Sequence, residues 1–219
     1  MMKCKNCHQY HCIKKGKRNK KQRYFCKSCH LYFQESYVYQ AYKSNINSTI
    51  TLLLKEGCGV RSISRILNIS SGTVLSRILK IGEQIKVPDF DQLGCQFEVD
   101  ELWSFVGSKK NAVWIIYGIE RNTRMVVDFS VGRKTSENIR PLINKLIGLR
   151  AARIYTDKLK SYQSLVPNNL HRVLRYCTNH IERKNLTLRT HVQRLARKTI
   201  CFFKRQEYLE AHLKIYFWG

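Results

Sequence analysis

Acidic residues are scarce in this sequence: 15 Asp and Glu stand against 40 Lys and Arg among 219 residues, a formal net charge of +25. Long apolar runs are absent as well, and because a membrane-spanning helix needs about 20 apolar residues, we expect none. The N-terminal Met-Met-Lys-Cys lacks the apolar segment of a signal peptide, which argues against secretion by that route. We therefore expect the nine cysteines to be reduced thiols or metal ligands rather than disulfides.

A net charge of +25 calls for a polyanionic partner, either nucleic acid or an anionic membrane surface. The basic residues are spread along most of the chain instead of lying on one amphipathic helix, which favours nucleic acid. One segment differs in charge from the rest of the chain: residues 88–132 are acidic overall, with seven acidic and four basic residues. Carboxylates repel phosphate, so an acidic segment in a nucleic-acid-binding protein needs a reason, and a metal site that acts on phosphate supplies one.

Two cysteine knuckles near the N-terminus predict a zinc ribbon over residues 1–44. Cys4-Lys-Asn-Cys7 and Cys26-Lys-Ser-Cys29 are separated by 18 residues, which fits the spacing of four-cysteine zinc sites. A basic segment of this size cannot build a sufficient core alone, so one structural Zn²⁺ is expected. The alternative is four unrelated buried thiols. Other nearby donors do not improve the ligand set: His8, His11, Cys12 and His30.

Residues 45–87 predict an all-α helix-turn-helix domain. Apolar residues from Ser48 fit a helix that Gly57 ends, and a second helical pattern follows at 60–67. Ser70 or Ser71 can then cap a third helix. The opposite side of that helix from its apolar stripe offers the residues that we expect to bind DNA: Thr73, Ser76, Arg77 and Lys80. An ordinary helical hairpin with a solvated charged face is the alternative.

Residues 88–219 alternate strand and helix patterns after Pro88, which reads as part of a linker. The predicted order is β-β-β-α-β-α-β-α, which is that of the ribonuclease H fold, an α/β domain with a mixed five-stranded sheet. The predicted elements are strands over 97–103, 112–117 and 125–129, a helix from Ser136, a strand over 152–157, a helix over 161–165, a strand over 172–176, and a long basic helix capped by Thr178 or Asn179.

Three carboxylates from separate elements decide the predicted chemistry of this domain. Asp100 lies within the first strand, Asp157 ends the fourth, and Glu182 lies in the first turns of the following helix. Together they can hold two Mg²⁺ or Mn²⁺ ions for attack on a phosphodiester. Salt bridges are the alternative role for Asp157 and Glu182 in so basic a chain. Glu98 and Glu101 compete with Asp100 for the first position, and Asp100 is preferred.

Several stretches of the sequence resemble transposases of the insertion sequence one family. The matching stretches are Gln-Arg-Tyr at 22–24 beside the knuckles, Val-Asp-Glu-Leu-Trp-Ser-Phe-Val-Gly at 99–107, Tyr-Thr-Asp at 155–157, Ile-Glu-Arg-Lys-Asn-Leu-Thr-Leu-Arg at 181–189, and Arg-Leu-Ala-Arg-Lys-Thr-Ile at 194–200. The resemblance covers almost the whole chain, and it aligns Asp100, Asp157 and Glu182 with the Asp, Asp and Glu of DDE enzymes.

The resemblance implies an enzyme that binds the terminal inverted repeats of its element, cuts DNA 3′ ends and transfers them to target DNA. Arg189, seven residues beyond Glu182, is then expected to contact DNA phosphate. Double-stranded DNA is the expected partner, both as element ends and as target. We also expect a homo-oligomer on DNA and a cytoplasmic, nucleoid-associated location in a prokaryotic cell.

Three alternatives remain open from the sequence. A DNA-binding regulator would use only residues 1–87 and would leave the rest of the chain unexplained. A general DNA nuclease of the same fold would cleave DNA without requiring the ends of a specific element. A tyrosine recombinase would use His180 and Arg183 with Tyr208 or Tyr216, and it would require an all-helical catalytic domain.

Overall fold

The computed structural model describes residues 2–36, 39–174, 176–196 and 201–219. The chain forms two compact units, Met1–Lys43 and Ser44–Gly219. Within the described ranges no helix is long and apolar enough to cross a membrane. Residues 197–200, which end the last stretch that resembles the transposase family, lie outside these ranges.

The first unit is a small antiparallel sheet with the strand order β1-β2-β3. Its strands are β1 (Cys12–Arg18), β2 (Lys21–Cys26) and β3 (Tyr32–Gln34). Asn19 and Lys20 join β1 to β2 with φ angles of 51° and 62°, as a tight hairpin turn with two left-handed residues requires. Among the described residues of this unit, the buried core cluster consists of Cys4, Cys26 and Phe33, so apolar burial alone gives the unit little stability.

The second unit begins with the three predicted helices, α1 (Ile46–Lys55), α2 (Val60–Leu67) and α3 (Ser71–Gln84). Gly57 ends α1 as predicted, with a left-handed φ of 78° that glycine adopts without strain. Ser70 caps α3, since its Oγ accepts a hydrogen bond from the Thr73 backbone N–H at 3.1 Å. Apolar residues of all three helices are buried against one another: Ile50, Leu54, Ile63, Val74 and Ile78.

A mixed five-stranded sheet forms the centre of the second unit, as the sequence predicted. Its strands are β4 (Gln96–Phe105), β5 (Ala112–Glu120), β6 (Val126–Gly132), β7 (Arg153–Tyr155) and β8 (His171–Arg172). Their order is β6-β5-β4-β7-β8. The pairs β6–β5 and β5–β4 are antiparallel, whereas β4–β7 and β7–β8 are parallel.

Helices cover both faces of this sheet, which explains why β5 is almost continuously apolar. Helices α4 (Ser136–Gly148) and α5 (Lys160–Leu165) pack on the face of Val99 and Ile116. Helices α6 (Asn179–His191) and α7 (Gln206–Trp218) pack on the face of Leu102 and Tyr117.

The end of the sheet differs from the prediction. The expected strand over 172–176 is present but displaced, because β8 spans only His171–Arg172. Leu174 is exposed, and Tyr176 has a left-handed φ of 63° that no strand contains. Residue 175 lies outside the described residues. Helix α7 is absent from the predicted order of elements.

Helix α7 lies between the sheet and the three N-terminal helices of the same unit. Leu209 and Leu213 of α7 belong to the core under the sheet. On another side α7 packs against α3, where Gly82 meets Ala211. A Cβ at position 82 would lie 2.7 Å from the Ala211 Cβ, closer than carbon atoms approach. Gly82 is therefore required for the close approach of α3 and α7.

We predict opposite effects of the same glycine-to-alanine change at two positions of α3. Gly82→Ala should lower the free energy of unfolding by about 1–3 kcal/mol, because the new methyl group overlaps Ala211. Gly72→Ala should raise it by up to about 1 kcal/mol, because no atom lies closer than 3.9 Å and alanine favours helix. Urea denaturation of both variants measures this difference. Equal effects at the two positions would contradict the observed packing of α3 on α7.

Candidate active site

The parallel pairing of β4 with β7 brings two of the predicted carboxylates together. Glu98 of β4 pairs with Tyr155 of β7, and Asp100 and Asp157 each lie two residues further along the chain from this pair. Carboxylate oxygens of Asp100, Glu101 and Asp157 all lie within 4.8 Å of one another. This spacing allows the three groups to share a cation, and carboxylate oxygens are the ligands that Mg²⁺ prefers in proteins.

Glu182 lies beside this cluster but outside it. It stands in the first turn of α6, is exposed, and lines the same cavity of about 390 Å³ as Asp100 and Glu101. Thr178 donates a hydrogen bond from its hydroxyl to Glu182 Oε1 at 2.8 Å. The structure thus joins Asp100 and Asp157 directly and places Glu182 at the wall of the cavity that Asp100 and Glu101 line.

The environment of Asp100 disfavours its charge. Burial, followed by repulsion from Glu101, Asp157 and Glu182, raises the pKa of Asp100 to about 7, although the backbone N–H of Glu101 opposes this rise. The excess of negative charge at this site contrasts with the net charge of +25 of the whole chain.

Glu101 reaches the carboxylate cluster from the other face of the sheet. Its side chain is 2% exposed, and Oε2 lies 3.1 Å from Lys134 Nζ. Among the described residues Oε1 has no hydrogen-bond partner. The sequence analysis preferred Asp100 to Glu101 because of the family resemblance, and the proximity of Glu101 to Asp157 follows only from the packing.

Glu98 has a different position, at the start of α6. Its fully buried carboxylate accepts hydrogen bonds from the backbone N–H groups of His180 and Ile181, at 3.1 and 2.9 Å. His180 Nδ1 lies 2.6 Å and Arg121 Nε 3.3 Å from Glu98 Oε1. Negative charge is favourable at a helix N-terminus, so Glu98 fixes α6 to β4.

Asn185 is a residue of the site that the sequence analysis missed. Its Nδ2 donates a hydrogen bond to Asp100 Oδ2 at 2.7 Å. Its Oδ1 accepts one from the hydroxyl of Tyr117 at 2.9 Å. The signal available in the sequence was spacing, since Asn185 lies three residues after Glu182 and hence on the same face of α6.

Arg189 lines the same cavity and is bound to the backbone. Its guanidinium donates to the carbonyl oxygens of Leu195 at 2.6 Å and Trp103 at 3.2 Å. These bonds connect α6 with the chain that follows it and with β4. A contact between Arg189 and DNA phosphate stays a prediction.

The predicted DNA-binding residues of α3 differ in exposure. Ser76 and Lys80 are exposed, whereas Thr73 and Arg77 are half-buried. The Thr73 hydroxyl is 2.8 Å from Ser70 Oγ. The Arg77 guanidinium donates to Asn47 Oδ1 at 3.5 Å. Their roles in DNA binding stay predictions.

The four knuckle cysteines form a second cluster, in the first unit. Their sulfur atoms all lie within 4.8 Å of one another, with Cys4 and Cys29 at 3.6 Å and Cys7 and Cys26 at 3.5 Å. Tetrahedral zinc with Zn–S bonds of about 2.3 Å separates its sulfur ligands by about 3.8 Å, so the cluster fits this ion. Burial opposes ionisation of Cys26, but the backbone N–H groups of Cys29 and Ser28 lower its pKa to about 6.

The sheet contradicts the tyrosine recombinase alternative, which requires an all-helical catalytic domain. His180 of the proposed His-x-x-Arg pair is bound to Glu98 instead. Tyr216 hydrogen-bonds His191 Nδ1 at 2.8 Å.

Comparisons with known proteins agree on one family. Residues 93–217 match the family model described as IS1 transposase. Insertion element iso-IS1n protein InsB of Shigella dysenteriae is 42% identical over 118 residues, which are 54% of this chain and 88% of that protein. Insertion element IS1 protein InsB of Shigella flexneri is 36% identical over 110 residues, 50% of this chain and 84% of that protein.

Among solved structures the similarity is distant. The Drosophila P element transposase strand transfer complex is 17% identical with a TM-score of 0.34, over 60% of this chain and 36% of that chain. This value is too low to support a conclusion about fold or function.

We predict that Glu98→Gln lowers the free energy of unfolding by about 2–4 kcal/mol, because it removes a buried charge that His180, Ile181 and Arg121 surround. Glu83→Gln is the matched control on an exposed helical position, with an expected change within about 0.5 kcal/mol. Thermal unfolding monitored by circular dichroism compares the two variants. Equal midpoint temperatures of unfolding in the two variants would contradict the role of Glu98 in attaching α6 to β4.

Proposed function

Since this chain belongs to the IS1 transposase family and is a DDE transposase, we propose that it cuts the 3′ ends of its own insertion element and joins them to target DNA. The observation that carries this proposal is the meeting of Asp100 and Asp157, with Glu182 at the wall of the cavity that Asp100 lines. The sheet order β6-β5-β4-β7-β8, a three-strand meander extended by two parallel strands, supports a ribonuclease H-like catalytic domain.

The family implies a divalent metal, and the carboxylates fit one. We assign its binding to Asp100 and Asp157, which share the cluster with Glu101, and to Glu182, which lines the same cavity as Asp100; their oxygen ligands suit two Mg²⁺ or Mn²⁺ ions. When bound, such ions activate the attacking oxygen and stabilise the leaving one. Asp100 is held in β4 and Asp157 directly after β7, so both are presented from backbone that the sheet makes rigid.

The proposed reaction consists of two successive displacements at phosphorus. Water attacks the phosphodiester at the element end and loses a proton to solvent, the P–O3′ bond breaks, and the leaving 3′-oxygen takes up a proton from solvent, which gives a free 3′-hydroxyl. That hydroxyl then attacks a phosphodiester of target DNA, and the target's own 3′-oxygen leaves. Neither step attaches DNA to the protein, in contrast to a tyrosine recombinase.

DNA recognition is assigned to the parts of the chain outside the carboxylate cluster. We propose three functional regions: a zinc ribbon at 1–44, a helix-turn-helix at 45–87 and the catalytic region at 88–219. The exposed side of α3 is proposed to read the element ends, and Arg189 to contact phosphate near the metals. The proposed reading residues are Thr73, Ser76, Arg77 and Lys80. Pairing of two ends calls for a homo-oligomer on DNA.

The ribbon is proposed to hold one structural Zn²⁺ through Cys4, Cys7, Cys26 and Cys29. Their sulfur atoms are already close enough to share one tetrahedral ion. Cys12 does not belong to this cluster, and its thiol points to the Gln9 carbonyl oxygen at 3.8 Å. A buried core of three residues makes the ion the main source of stability for this unit.

We expect Asp100→Asn, Asp157→Asn and Glu182→Gln each to abolish cleavage of element ends in Mg²⁺, because each removes a charged metal ligand. Binding of those ends should persist, since it is assigned to other residues. Gel-shift and cleavage assays on the same labelled end DNA separate the two activities. A matched control is Glu137→Gln, a carboxylate in the first turn of α4 that lies outside the cluster.

Two outcomes would contradict the catalytic assignment. Normal cleavage by Asp157→Asn would contradict the assignment of Asp157 as a metal ligand. A covalent protein–DNA adduct that is lost in Tyr208→Phe or Tyr216→Phe would favour a tyrosine recombinase. Cleavage of random DNA as fast as element ends would indicate a general nuclease.

Metal analysis of the full-length protein should find about one zinc ion per chain. Cys26→Ser should lose this zinc, because it removes a buried ligand, whereas Cys12→Ser should keep it. Equal zinc loss in the two variants would contradict the ligand set.

A further inference from the structure

Asn185 connects the helix that carries Glu182 with the strand that carries Asp100. Its amide nitrogen donates to Asp100 Oδ2 at 2.7 Å. The amide oxygen faces the other way, toward the hydroxyl of Tyr117.

Tyr117 fixes this orientation of the amide. It lies on β5 directly opposite Asp100 in the antiparallel register and is fully buried. Its hydroxyl donates to Asn185 Oδ1 at 2.9 Å, while the carbonyl oxygen of Ile181 is further away at 3.4 Å. The hydrogen bonds thus run in one direction, from Tyr117 through Asn185 to Asp100.

The backbone of α6 is held independently on the other side of Glu182. Glu98 binds the N–H groups of His180 and Ile181, in the turn just before Glu182. Asn185 is attached to Asp100 three residues after Glu182. Helix α6 is therefore attached to β4 on both sides of its carboxylate, which limits rotation and sliding of the helix.

The chemical nature of Asn185 suits a metal site. Glu101, Asp157 and Glu182 all repel the Asp100 carboxylate, so an unrestrained side chain would turn away from them. A Lys or Arg at position 185 would hold Asp100 equally well, but its charge would compete with the metal ions. A neutral donor restrains one oxygen and leaves the negative charge of the site in place.

We propose that Asn185 is a positioning residue of the transposase: it holds the Asp100 carboxylate in the orientation that binds metal, and Tyr117 sets the direction of its amide. This inference rests on the proposed function, because it presumes that Asp100 is a metal ligand. Residues that orient metal ligands through hydrogen bonds typically contribute about 10–100-fold to metal affinity.

The test measures the full-length protein in two ways: Mn²⁺ binding without DNA by isothermal titration calorimetry, which Asn185→Ala should weaken by about tenfold or more, and the Mg²⁺ dependence of cleavage on labelled element ends. Asn185→Ala should raise the Mg²⁺ concentration for half-maximal cleavage by about tenfold or more, and excess Mg²⁺ should restore the rate. Tyr117→Phe keeps the buried ring and should shift the same value less. Leu186→Ala, at an exposed position on the same helix, is the matched control and should behave as the unchanged protein.

Three results would overturn the positioning role. They are an unchanged Mg²⁺ dependence in Asn185→Ala, loss of cleavage that no Mg²⁺ concentration restores, and a lower rate with the same half-maximal concentration. If Asn185→Ala does not fold, Tyr117→Phe is the deciding variant. A higher Mg²⁺ concentration for half-maximal cleavage supports the positioning role, and an unchanged one contradicts it. Failure of the proposed function is distinguishable, because Asp157→Asn would then cleave normally at every Mg²⁺ concentration.

Discussion

The parallel pairing of β4 with β7 is the constraint on which the site depends. It aligns Asp100 with Asp157, although 56 residues separate them in the sequence. Carboxylate oxygens of Asp100, Glu101 and Asp157 then lie within 4.8 Å of one another, a close approach of like charges that the proposed cation would offset.

Helix α6 adapts this sheet to its function by carrying Glu182 to the edge of the cluster. Glu98 and Asn185 attach the helix to β4, and each does so with a polar side chain in a buried or half-buried position. A buried polar group that lacks its hydrogen-bond partner costs free energy. These contacts therefore specify one arrangement of helix and strand more sharply than apolar packing does. On another side of the same unit, α7 packs against α3 through Gly82, so that the proposed DNA-reading helix and the sheet share one compact unit.

Local patterns in the sequence predicted much of this structure. The cysteine knuckles, the Ser70 cap and the order of the eight predicted elements of the sheet domain each depend on residues close in sequence. The sequence could not show that Glu101 reaches Asp157, or that Glu98 caps α6, because both contacts depend on the packing of segments more than 50 residues apart. The strand over 172–176 was predicted too long, and the exposure of Leu174 and Tyr176 shows that no neighbouring segment buries these side chains beyond β8.

The most direct measurement is a crystal structure of the protein with element-end DNA and Mn²⁺, in which anomalous scattering locates the metal. The account predicts two Mn²⁺ positions, with Asp100, Asp157 and Glu182 as the protein ligands. Anomalous density that is absent from these carboxylates, or metal ligated without Asp157, would contradict it.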